Sequence, residues 1–555
     1  MSPFQLLHSS GRQLFLGVFC LWAGIKWTGA EEIQFVDRAA DLGLDFTHQN
    51  GISAEKRLPE TYGSGSAFFD YDGDGDLDLY LVNSGDLVHG RQGAWNGLWR
   101  NEGGHFANVT EEAGVPGAGY GMGVVAGDAD NDGDVDLYQT AWGEDIYYRN
   151  QGDGRFSDDT LGAGLGNAYW GTSAAFVDKD LDGDLDLFVA NYVKFELARE
   201  QPWCGRRDLD LRFYCDPRQY EATLDRLFRN LGKGRFEAVG PEVGIVHAGN
   251  GLGVVCGDFD LDGDADIYVA NDMTPNFYYE NRGDGFFKER GLVAGNALSM
   301  DGVAHAGMGV DAGDWDGDGD LDLFVANYQL ENNDLYRNDG AFFSEVSFAA
   351  GLGEISLNYL GFGVGFFDYD NDGWSDLLVV NGHVHDNIEA YDELVQYAQK
   401  AQIFRNEGGR RFRERTTALG AGFKAKYVGR GCAFGDYDAD GDLDIVLTSN
   451  GRRTALLQNR GGNGSNWLQV ALQGTRSNRD GIGAKVYLEA GPLRLFQEVR
   501  SGSGYLSSSQ LAPFFGVGEN EQVDRLEIHW PSGVVQVRQG IAVNQILRLV
   551  EPEGP

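Results

Sequence analysis

Seven copies of one aspartate-rich segment recur along this chain of 555 residues. Each copy has aspartate at positions 1, 3, 5 and 9 and glycine at position 6. Alternating carboxylates with a glycine for a sharp turn are typical of loops that bind a hard cation such as Ca²⁺. The sequence therefore predicts up to seven calcium sites. The predicted ligands are Asp70, Asp72, Asp74 and Asp78; Asp128, Asp130, Asp132 and Asp136; Asp178, Asp180, Asp182 and Asp186; Asp258, Asp260, Asp262 and Asp266; Asp314, Asp316, Asp318 and Asp322; Asp368, Asp370, Asp372 and Asp376; Asp436, Asp438, Asp440 and Asp444.

A helix–loop–helix calcium site is the main alternative for these acidic segments. That site needs glutamate at position 12, but the first copy has Leu81 there, and the flanking segments have the composition of strands rather than helices. The sixth copy departs from the others because Trp374 and Ser375 follow its glycine. Position 7 binds calcium through its backbone carbonyl, so we expect the sixth copy to keep a site.

Strand-like segments surround each acidic copy in a fixed order. An apolar run such as Leu79–Val82 follows the copy, then an aromatic segment that ends in asparagine such as Leu98–Asn101, then a glycine turn and a segment that begins with phenylalanine. This order predicts a four-stranded unit of about fifty residues, which matches a propeller blade. We therefore predict an all-β fold with a seven-bladed β-propeller.

The way in which the last blade is completed is predicted from a phenylalanine–glycine pair. Six copies have phenylalanine followed eight residues later by glycine, and the seventh lacks this pair. The missing pair stands near the N-terminus as Phe35 and Gly43. We expect the N-terminal strand to complete the last blade beside Leu456, which removes an open sheet edge. An open solenoid is the alternative, and it needs capping repeats at both ends.

The chain divides into three predicted parts. Residues 1–30 resemble a secretory signal peptide, since Arg12 precedes an apolar stretch and small residues precede Glu31. An uncleaved membrane anchor is the alternative for that segment. Residues 31–463 hold the predicted propeller, and residues 464–555 read as a small β domain. We expect a secreted or extracytoplasmic protein, located outside the cell, at the cell surface or in the periplasm, without stable membrane insertion.

The charge limits the class of partner, and the cysteines bear on the compartment. The chain has 44 basic and 85 acidic residues, a net charge of −41, which argues against nucleic acid as a partner because binding it requires basic patches. Cys204 and Cys215 stand in one polar segment, and an oxidising compartment makes a disulfide between them plausible. Cys256 and Cys432 lie in apolar segments and are expected to be buried thiols.

Two insertions interrupt the regular units, at residues 192–226 and 383–402. Long insertions in a compact repeat either carry function or cover a face of the ring. In the second insertion, apolar residues at helical spacing predict a short helix from Ala390 to Ala401. His383 and His385 flank it and offer nitrogen ligands for zinc, although no third ligand stands near them in sequence.

These features together resemble a known family. The acidic loops with their phenylalanine–glycine strands resemble the FG-GAP, or VCBS, repeats of integrin alpha-chain propellers. The combination with SNRDGIGAKV from Ser477, GSGYLSSSQ from Gly502, FFGVG from Phe514 and WPSGVVQ from Trp530 resembles the cartilage acidic protein family, in which such repeats precede an ASPIC/UnbV domain. The resemblance covers residues 33–552. It implies a calcium-binding propeller followed by a C-terminal domain, to whose residues it assigns no chemistry.

Two function classes remain open on the sequence. The first is a secreted calcium-binding scaffold that binds an extracellular or cell-surface protein or a glycan, with calcium in a structural role. The second is an extracytoplasmic enzyme, a hydrolase or isomerase, that uses the propeller channel or the C-terminal domain. The sequence offers no nucleophile or acid–base pair apart from the predicted calcium ligands, and this favours the scaffold.

Overall fold

The computed structural model describes residues 33–553 except residues 92 and 341. The predicted signal peptide and the predicted cleavage point before Glu31 therefore lie outside the described residues. Within the described part, no helix has the length and apolar character needed to cross a membrane. The fold is all-β, and strands of three to eight residues make up nearly all of its regular structure.

Seven antiparallel sheets of four strands each repeat along the chain, and we number them 1 to 7 by the order of their first strands. The first strands are Ser66–Phe69, Tyr120–Gly127, Gly171–Val177, Gly251–Gly257, Val310–Gly313, Gly361–Phe367 and Gly429–Gly435. The second strands are Asp78–Leu81, Asp136–Trp142, Asp186–Asn191, Asp266–Asn271, Asp322–Val325, Asp376–Asn381 and Asp444–Ser449. The third strands are Gly97–Asn101, Ile146–Asn150, Arg226–Asn230, Phe277–Asn281, Asp334–Asn338, Gln402–Asn406 and Ala455–Gln458. The fourth strands of sheets 1 to 6 are Phe106–Asn108, Phe156–Asp158, Phe236–Ala238, Phe287–Glu289, Phe343–Glu345 and Phe412–Glu414.

The fourth strand of sheet 7 comes from the beginning of the described chain. Val36–Asp37 pairs antiparallel with the third strand of this sheet, with Val36 opposite Gln458 and Asp37 opposite Leu457. Phe35, which is fully buried, also donates its backbone N–H to the carbonyl of Leu419 at 2.8 Å. Each first strand contacts the first strand of the next sheet, and those of sheets 7 and 1 contact each other.

The phenylalanine–glycine spacing arises from a packing contact between neighbouring sheets. Each of these glycines has a positive φ and faces the backbone carbonyl of the phenylalanine that begins the next fourth strand. A Cβ atom at Gly164 would lie 2.3 Å from the Phe236 oxygen, and one at Gly420 would lie 2.9 Å from the Phe35 oxygen. Only glycine combines this backbone angle with so close an approach.

Short helices and the two insertions occupy the connections between strands. The α-helices are Thr110–Ala113, Thr160–Ala163, Gly291–Ala294 and Gly353–Ser356. The 3₁₀ helices are Leu58–Thr61, Arg207–Leu209, Pro217–Gln219, Gly240–Val243, Ile388–Ala390, Gly422–Lys424 and Gly462–Gly464. The prediction of a helix from Ala390 to Ala401 is wrong, because only the 3₁₀ turn Ile388–Ala390 forms and bends follow it. Tyr391 of this stretch packs on Phe213 of the other insertion, whereas Leu394 is 91 % exposed, so the apolar positions do not share one helical face.

The two insertions meet over the end of the ring that lies opposite the acidic loops. The first insertion adds the strand Val193–Lys194, which pairs with Glu221–Leu224, and the latter strand also pairs with Ala248–Gly249. It also adds the hairpin Cys204–Arg206 with Leu211–Phe213. The ring of Phe213 lies 4.4 Å from that of Tyr391, and Asn387 donates its side-chain amide to the Arg212 carbonyl at 2.9 Å. The insertions therefore form a joint cover on this face.

Residues 466–550 form two further sheets that pack on the acidic-loop side. One has the order Phe514–Gly518, Asn466–Gln473, Gln545–Val550, and the other has the order Leu493–Glu498, Lys485–Ala490, Gln522–His529, Val535–Ala542. Their apolar side chains share one core with residues of sheets 2 and 3, including Tyr138 and Phe176. The C-terminal domain is thus packed continuously onto the repeats.

One segment of the C-terminal domain, residues 500–510, lies among the first strands of the sheets, and we call it the plug. Its backbone pairs with first strands: Ser508 exchanges hydrogen bonds with sheet 1, Leu506 accepts one from Val124 of sheet 2, and Gly504 exchanges two with Val310 of sheet 5. The Tyr505 ring packs 5.0 Å from that of Phe362, and its hydroxyl donates to the Tyr62 carbonyl at 3.1 Å. Sequence reasoning gave this segment no structural role.

Candidate metal centres

The acidic copies form the connection between the first and second strands of each sheet, and their backbone shapes agree. Residues at position 4 have a left-handed φ of 53–80°, whether glycine, asparagine, leucine or alanine. Glycine at position 6 has a φ of 90–107° in all seven loops, which side chains disfavour. The position 6 amide donates to Oδ2 of the position 1 aspartate at 2.7–3.1 Å. The turn therefore folds the chain back around its first carboxylate.

The position 9 aspartate begins the second strand and is held from two sides. Asp78, for example, accepts the Tyr71 amide on Oδ2 at 3.0 Å and the Asn101 amide on Oδ1 at 2.8 Å. The amide of the third-strand asparagine makes the equivalent contact in every sheet, at 2.7–2.8 Å. These contacts fix the last carboxylate before any cation binds, so the site is preorganised.

The carboxylates converge as a cation site requires. In the first loop, oxygens of Asp70, Asp72 and Asp78 lie within 4.8 Å of one another, and the other loops have similar groups. Several position 3 oxygens are buried without a hydrogen-bond partner, namely Oδ1 of Asp130, Asp316, Asp370 and Asp438. Buried acceptors normally have partners. Oxygen ligands with spare lone pairs fit Ca²⁺, which binds six to eight oxygens.

The proton affinities of these carboxylates are unusual. Burial, followed by repulsion from neighbouring aspartates, raises the pKa of Asp128, Asp178, Asp314 and Asp436 to about 7. Burial likewise raises the pKa of Asp78 to about 8. Clustered anions of this kind repel one another by several kcal/mol at an intermediate dielectric. A bound divalent cation removes that repulsion, so the electrostatics agree with the ligand geometry.

The tryptophan at position 7 of the sixth loop, where the other loops have aspartate, has a packing role. The six-membered ring of Trp374 rests on glycines of two neighbouring turns, since a Cβ at Gly317 would lie 3.0 Å and one at Gly409 2.7 Å from it. Position 7 of this loop thus covers the edge of the fifth loop. The four alternating aspartates of the sixth loop are unchanged, with Asp368 and Asp376 buried.

The third loop contains a basic group of its own. Lys179 at position 2 has only 2 % of its side chain exposed, and its ammonium contacts Asp180 and lies 3.4 Å from Oδ2 of Asp186. These are the position 3 and position 9 carboxylates. The ammonium neutralises part of the charge that a cation would meet there.

We therefore expect Lys179→Gln to raise the calcium affinity of the third loop by about tenfold. Removal of one competing positive charge is taken to contribute roughly 1.4 kcal/mol to calcium binding, which corresponds to a factor of ten in the binding constant. Equilibrium dialysis at limiting free calcium measures the ions bound per chain. At a free calcium concentration between the two Kd values, the variant should bind about 0.5 ion more per chain than the parent, the largest gain that a tenfold change in affinity allows. Adding Asp178→Asn should abolish the gain. Equal binding by the variant and the parent contradicts the prediction.

The C-terminal domain directly contacts several of the seven acidic loops that hold the predicted calcium ligands, which we call the metal loops. The amides of position 1 residues in the second, fourth and seventh loops donate to side chains of this domain: Asp128 to Asp480 at 2.7 Å, Asp258 to Glu498 at 3.3 Å and Asp436 to Gln510 at 3.1 Å. The Lys485 ammonium also contacts the Asp258 carboxylate. Sequence reasoning missed these residues because the partners are more than 70 residues apart in the chain.

The asparagine that ends each third strand links neighbouring loops around the ring. Its Nδ2 donates to the position 2 carbonyl of the preceding loop at 2.7–2.9 Å. The pairs are Asn101 with Tyr437, Asn150 with Tyr71, Asn230 with Ala129, Asn281 with Lys179, Asn338 with Phe259, Asn406 with Trp315 and Asn459 with Tyr369. The recurrence of asparagine was visible in the sequence, but its partner lies in another sheet.

Asn281→Ala is expected to destabilise the protein by about 2–4 kcal/mol, because it leaves the buried Lys179 and Ala265 carbonyls without a donor. Urea unfolding in saturating calcium measures this loss. Asn332→Ala serves as the control, since its amide bonds only to Asn333 and Asp334 beside it. If both variants unfold at the same urea concentration, the asparagine links do not stabilise the ring.

The disulfide-forming cysteines and the two histidines lie away from the metal loops, whereas Cys256 and Cys432 lie in first strands, two and four residues before the fourth and seventh loops. Cys204 and Cys215 form a disulfide within the first insertion, and Cys256 and Cys432 are buried free thiols. His383 accepts the His385 amide on Nδ1 at 2.9 Å, so its Nε2 carries the proton and lies buried without a partner. A protonated Nε2 and an occupied Nδ1 leave His383 no lone pair for zinc.

Comparisons with protein families agree with this arrangement. FG-GAP-like repeats match residues 70–139, 213–269, 258–325 and 314–379, and an ASPIC and UnbV domain matches residues 474–555. The chain is therefore an FG-GAP-repeat protein with a C-terminal ASPIC and UnbV domain, and its fold is propeller-like.

Curated relatives agree as well. Cartilage acidic protein 1 of Xenopus tropicalis is 26 % identical over 355 residues, covering 59 % of this chain and 50 % of the relative. The human protein of the same name is 26 % identical over 331 residues, covering 57 % of this chain and 46 % of its own. The resemblance to the cartilage acidic protein family is confirmed. The chain spans about half the length of the curated relatives it matches.

Solved structures show only distant likeness. An Agrocybe aegerita lectin that recognises non-reducing terminal N-acetylglucosamine has 14 % identity and a TM-score of 0.37, covering 78 % of this chain and 96 % of the lectin. The V. cholerae biofilm matrix protein Bap1 has 10 % identity and a TM-score of 0.32, covering 92 % of this chain and 76 % of Bap1. At these scores the likenesses carry no argument about function.

Proposed function

We propose that this protein is a secreted, calcium-binding scaffold that binds an extracellular or cell-surface protein or glycan. Calcium has a structural role in it: the aspartates at positions 1, 3, 5 and 9 of the seven loops hold the ions and supply only charge neutralisation and rigidity. The observation that carries the proposal is the set of buried position 3 oxygens without hydrogen-bond partners, beside two carboxylates that the backbone already fixes.

The scaffold is a closed seven-bladed propeller under this proposal. Three independent features support closure: the pairing of Val36–Asp37 with Ala455–Gln458, the contact between the first strands of sheets 7 and 1, and the hydrogen bond from Asn101 to Tyr437. A closed ring has no exposed sheet edge. Closure therefore makes the N-terminal strand part of the same cooperative unit as the last sheet.

A protein partner binds the face opposite the metal loops. The C-terminal domain covers the metal-loop side, whereas the opposite side carries the two insertions and several exposed apolar residues. Trp95, Leu330 and Leu394 stand on second-to-third-strand connections of this face, with 53 %, 75 % and 91 % of their surfaces exposed. Exposed apolar and aromatic residues on one face are typical of macromolecular interfaces.

Capture on the immobilised full chain tests the proposal. Extracellular material is applied in calcium and eluted with a chelator, and a specific protein or proteoglycan should be retained and then released. Leu330→Asp with Leu394→Asp should lose the captured partner while melting at the parental temperature. An exposed pair on the other side, Val535→Asp with Val537→Asp, is the matched control and should retain it. No calcium-dependent capture, or capture unaffected by the Leu330/Leu394 variant, overturns the proposed surface.

The alternative of an enzyme with its site in the channel is disfavoured. Plug residues fill the channel, with Tyr505 fully buried and Leu506 only 1 % exposed among the first strands. A channel site needs space for substrate, and the plug occupies that space. The contacts of the C-terminal domain described above include no nucleophile that lies beside a general base.

A further inference from the structure

A cleft separates the fifth and sixth metal loops from the C-terminal domain. It comprises two adjoining cavities of about 140 and 270 Å³, which share Asp314, Asp368 and Phe514 in their walls. Ligand sites occur preferentially at such interfaces, where an apolar wall meets a few convergent polar groups. The cleft adjoins the fifth and sixth proposed calcium sites through Asp314 and Asp368, and the plug through Ser503 and Gln510.

The inner cavity contains an ion pair with unused hydrogen-bonding capacity. Asp311 has 6 % of its side chain exposed, its Oδ2 accepts the Phe366 amide at 2.8 Å, and its Oδ1 lies 3.5 Å from Nη2 of Arg500 without accepting a hydrogen bond. The Nε of Arg500 is also buried without an acceptor. Both residues line the cavity. One ligand hydroxyl can satisfy both atoms, because a hydroxyl accepts from Nε–H and donates to Oδ1.

The outer cavity supplies an apolar surface. Trp374, Leu493 and Leu495 line it, and the contacts of Trp374 with Gly317 and Gly409 fix the indole in place. An aromatic surface beside unpaired hydrogen-bonding groups suits a ligand that has both an apolar face and hydroxyls. A sugar ring has this combination.

The charges disfavour an anionic ligand. The carboxylates of Asp311, Asp314, Asp368 and Glu498 line the inner cavity, opposite the cation Arg500. An additional buried anion would be repelled there, which costs several kcal/mol. Hydroxyl groups add no charge and still satisfy the orphaned atoms.

We propose that this cleft binds a neutral saccharide, with a sugar ring on Trp374 and one hydroxyl between Asp311 and Arg500. This inference rests on the proposed function, since it names the ligand class and the place where a glycan binds. The cleft lies on the metal-loop side and is therefore distinct from the apolar surface proposed for a protein partner.

Methyl glycosides of glucose, galactose, mannose, fucose and N-acetylglucosamine, added to the full chain in calcium, are the probes. Saturation-transfer NMR and calorimetry measure their binding. At least one should bind, and Trp374→Ala and Asp311→Asn should each weaken it at least tenfold. Phe286→Ala, which removes an exposed aromatic ring outside the cleft, is the matched control and should bind as the parent does.

Three results overturn the saccharide site: no probe binds, the Trp374 and Asp311 variants bind as the parent does, or only charged saccharides bind. Melting with and without calcium is measured on the same samples. If calcium stabilises the chain and a partner is still captured while no glycoside binds, the cleft proposal alone fails. If calcium has no effect on melting, the proposed function fails as well.

Discussion

Removal of calcium is expected to lower the melting temperature of this protein by roughly 10 °C, the largest effect that any single treatment should produce. Extracellular calcium modules have Kd values of about 10⁻⁴–10⁻³ M. At calcium tenfold above Kd, each site stabilises the folded state by about 1.4 kcal/mol, and seven sites by about 10 kcal/mol. Spread over the unfolding entropy of some 520 ordered residues, that free energy corresponds to the shift above.

Calorimetry in about 10 mM calcium and in excess chelator measures the shift. Asp258→Asn, which removes a first-position ligand from one loop only, should lose about one seventh of it. Asp301→Asn, an exposed aspartate outside the loops, is the control and should lose none. Melting at the same temperature in calcium and chelator contradicts a structural role for the ion.

The pH dependence of the folding stability should have opposite signs in chelator and in calcium. In chelator, the pKa of several loop aspartates is about 7–8 in the folded chain and near 3.8 in the unfolded chain. A pKa raised by folding gives stability that is fully present below pH 4 and is lost as the pH rises toward 8. Calcium binds the ionised carboxylates, so in its presence stability should instead rise over this range. Melting curves from pH 4 to 8 distinguish the two; parallel profiles would falsify this assignment.

The second large effect concerns the C-terminal domain, without which the repeats are not expected to fold as a soluble unit. A chain that ends at residue 463 lacks the plug. It exposes the apolar lining of the channel, including Met122, Leu252 and Phe362, and the core that sheets 2 and 3 share with the domain. Burial of this area contributes about 25 cal/mol per Å². The truncated chain should therefore aggregate, as judged by soluble yield and size-exclusion chromatography.

A point variant tests the same role in the full chain. Tyr505→Ala removes a fully buried ring and the hydrogen bond to the Tyr62 carbonyl, and it should cost about 3–5 kcal/mol. Tyr505→Phe loses only the hydroxyl and should cost about 1 kcal/mol. Urea unfolding gives both values. A soluble, cooperatively melting chain of residues 33–463, together with a neutral Tyr505→Ala variant, would show that the plug is dispensable.

Local chemistry was readable from the sequence because it depends on neighbouring residues. The acidic loops, the four strands around each of them and the pairing of the N-terminal strand beside Leu456 follow from short-range periodicity and from one missing phenylalanine–glycine pair. The helix expected from Ala390 to Ala401 failed for the opposite reason. Tyr391 packs against Phe213 in a distant insertion, and that contact outweighs a weak helical preference.

What the sequence by itself determined is the repeated unit: oxygen ligands at fixed spacing, strand-forming runs and glycines at left-handed positions. Only the tertiary structure decided how the units connect, because those contacts join residues far apart in the chain. The asparagine that each loop receives from the next sheet, the plug that fills the channel and the cleft between Trp374 and Asp311 have no local signature. Each arises where two folded surfaces meet, and a single segment of sequence does not encode its partner.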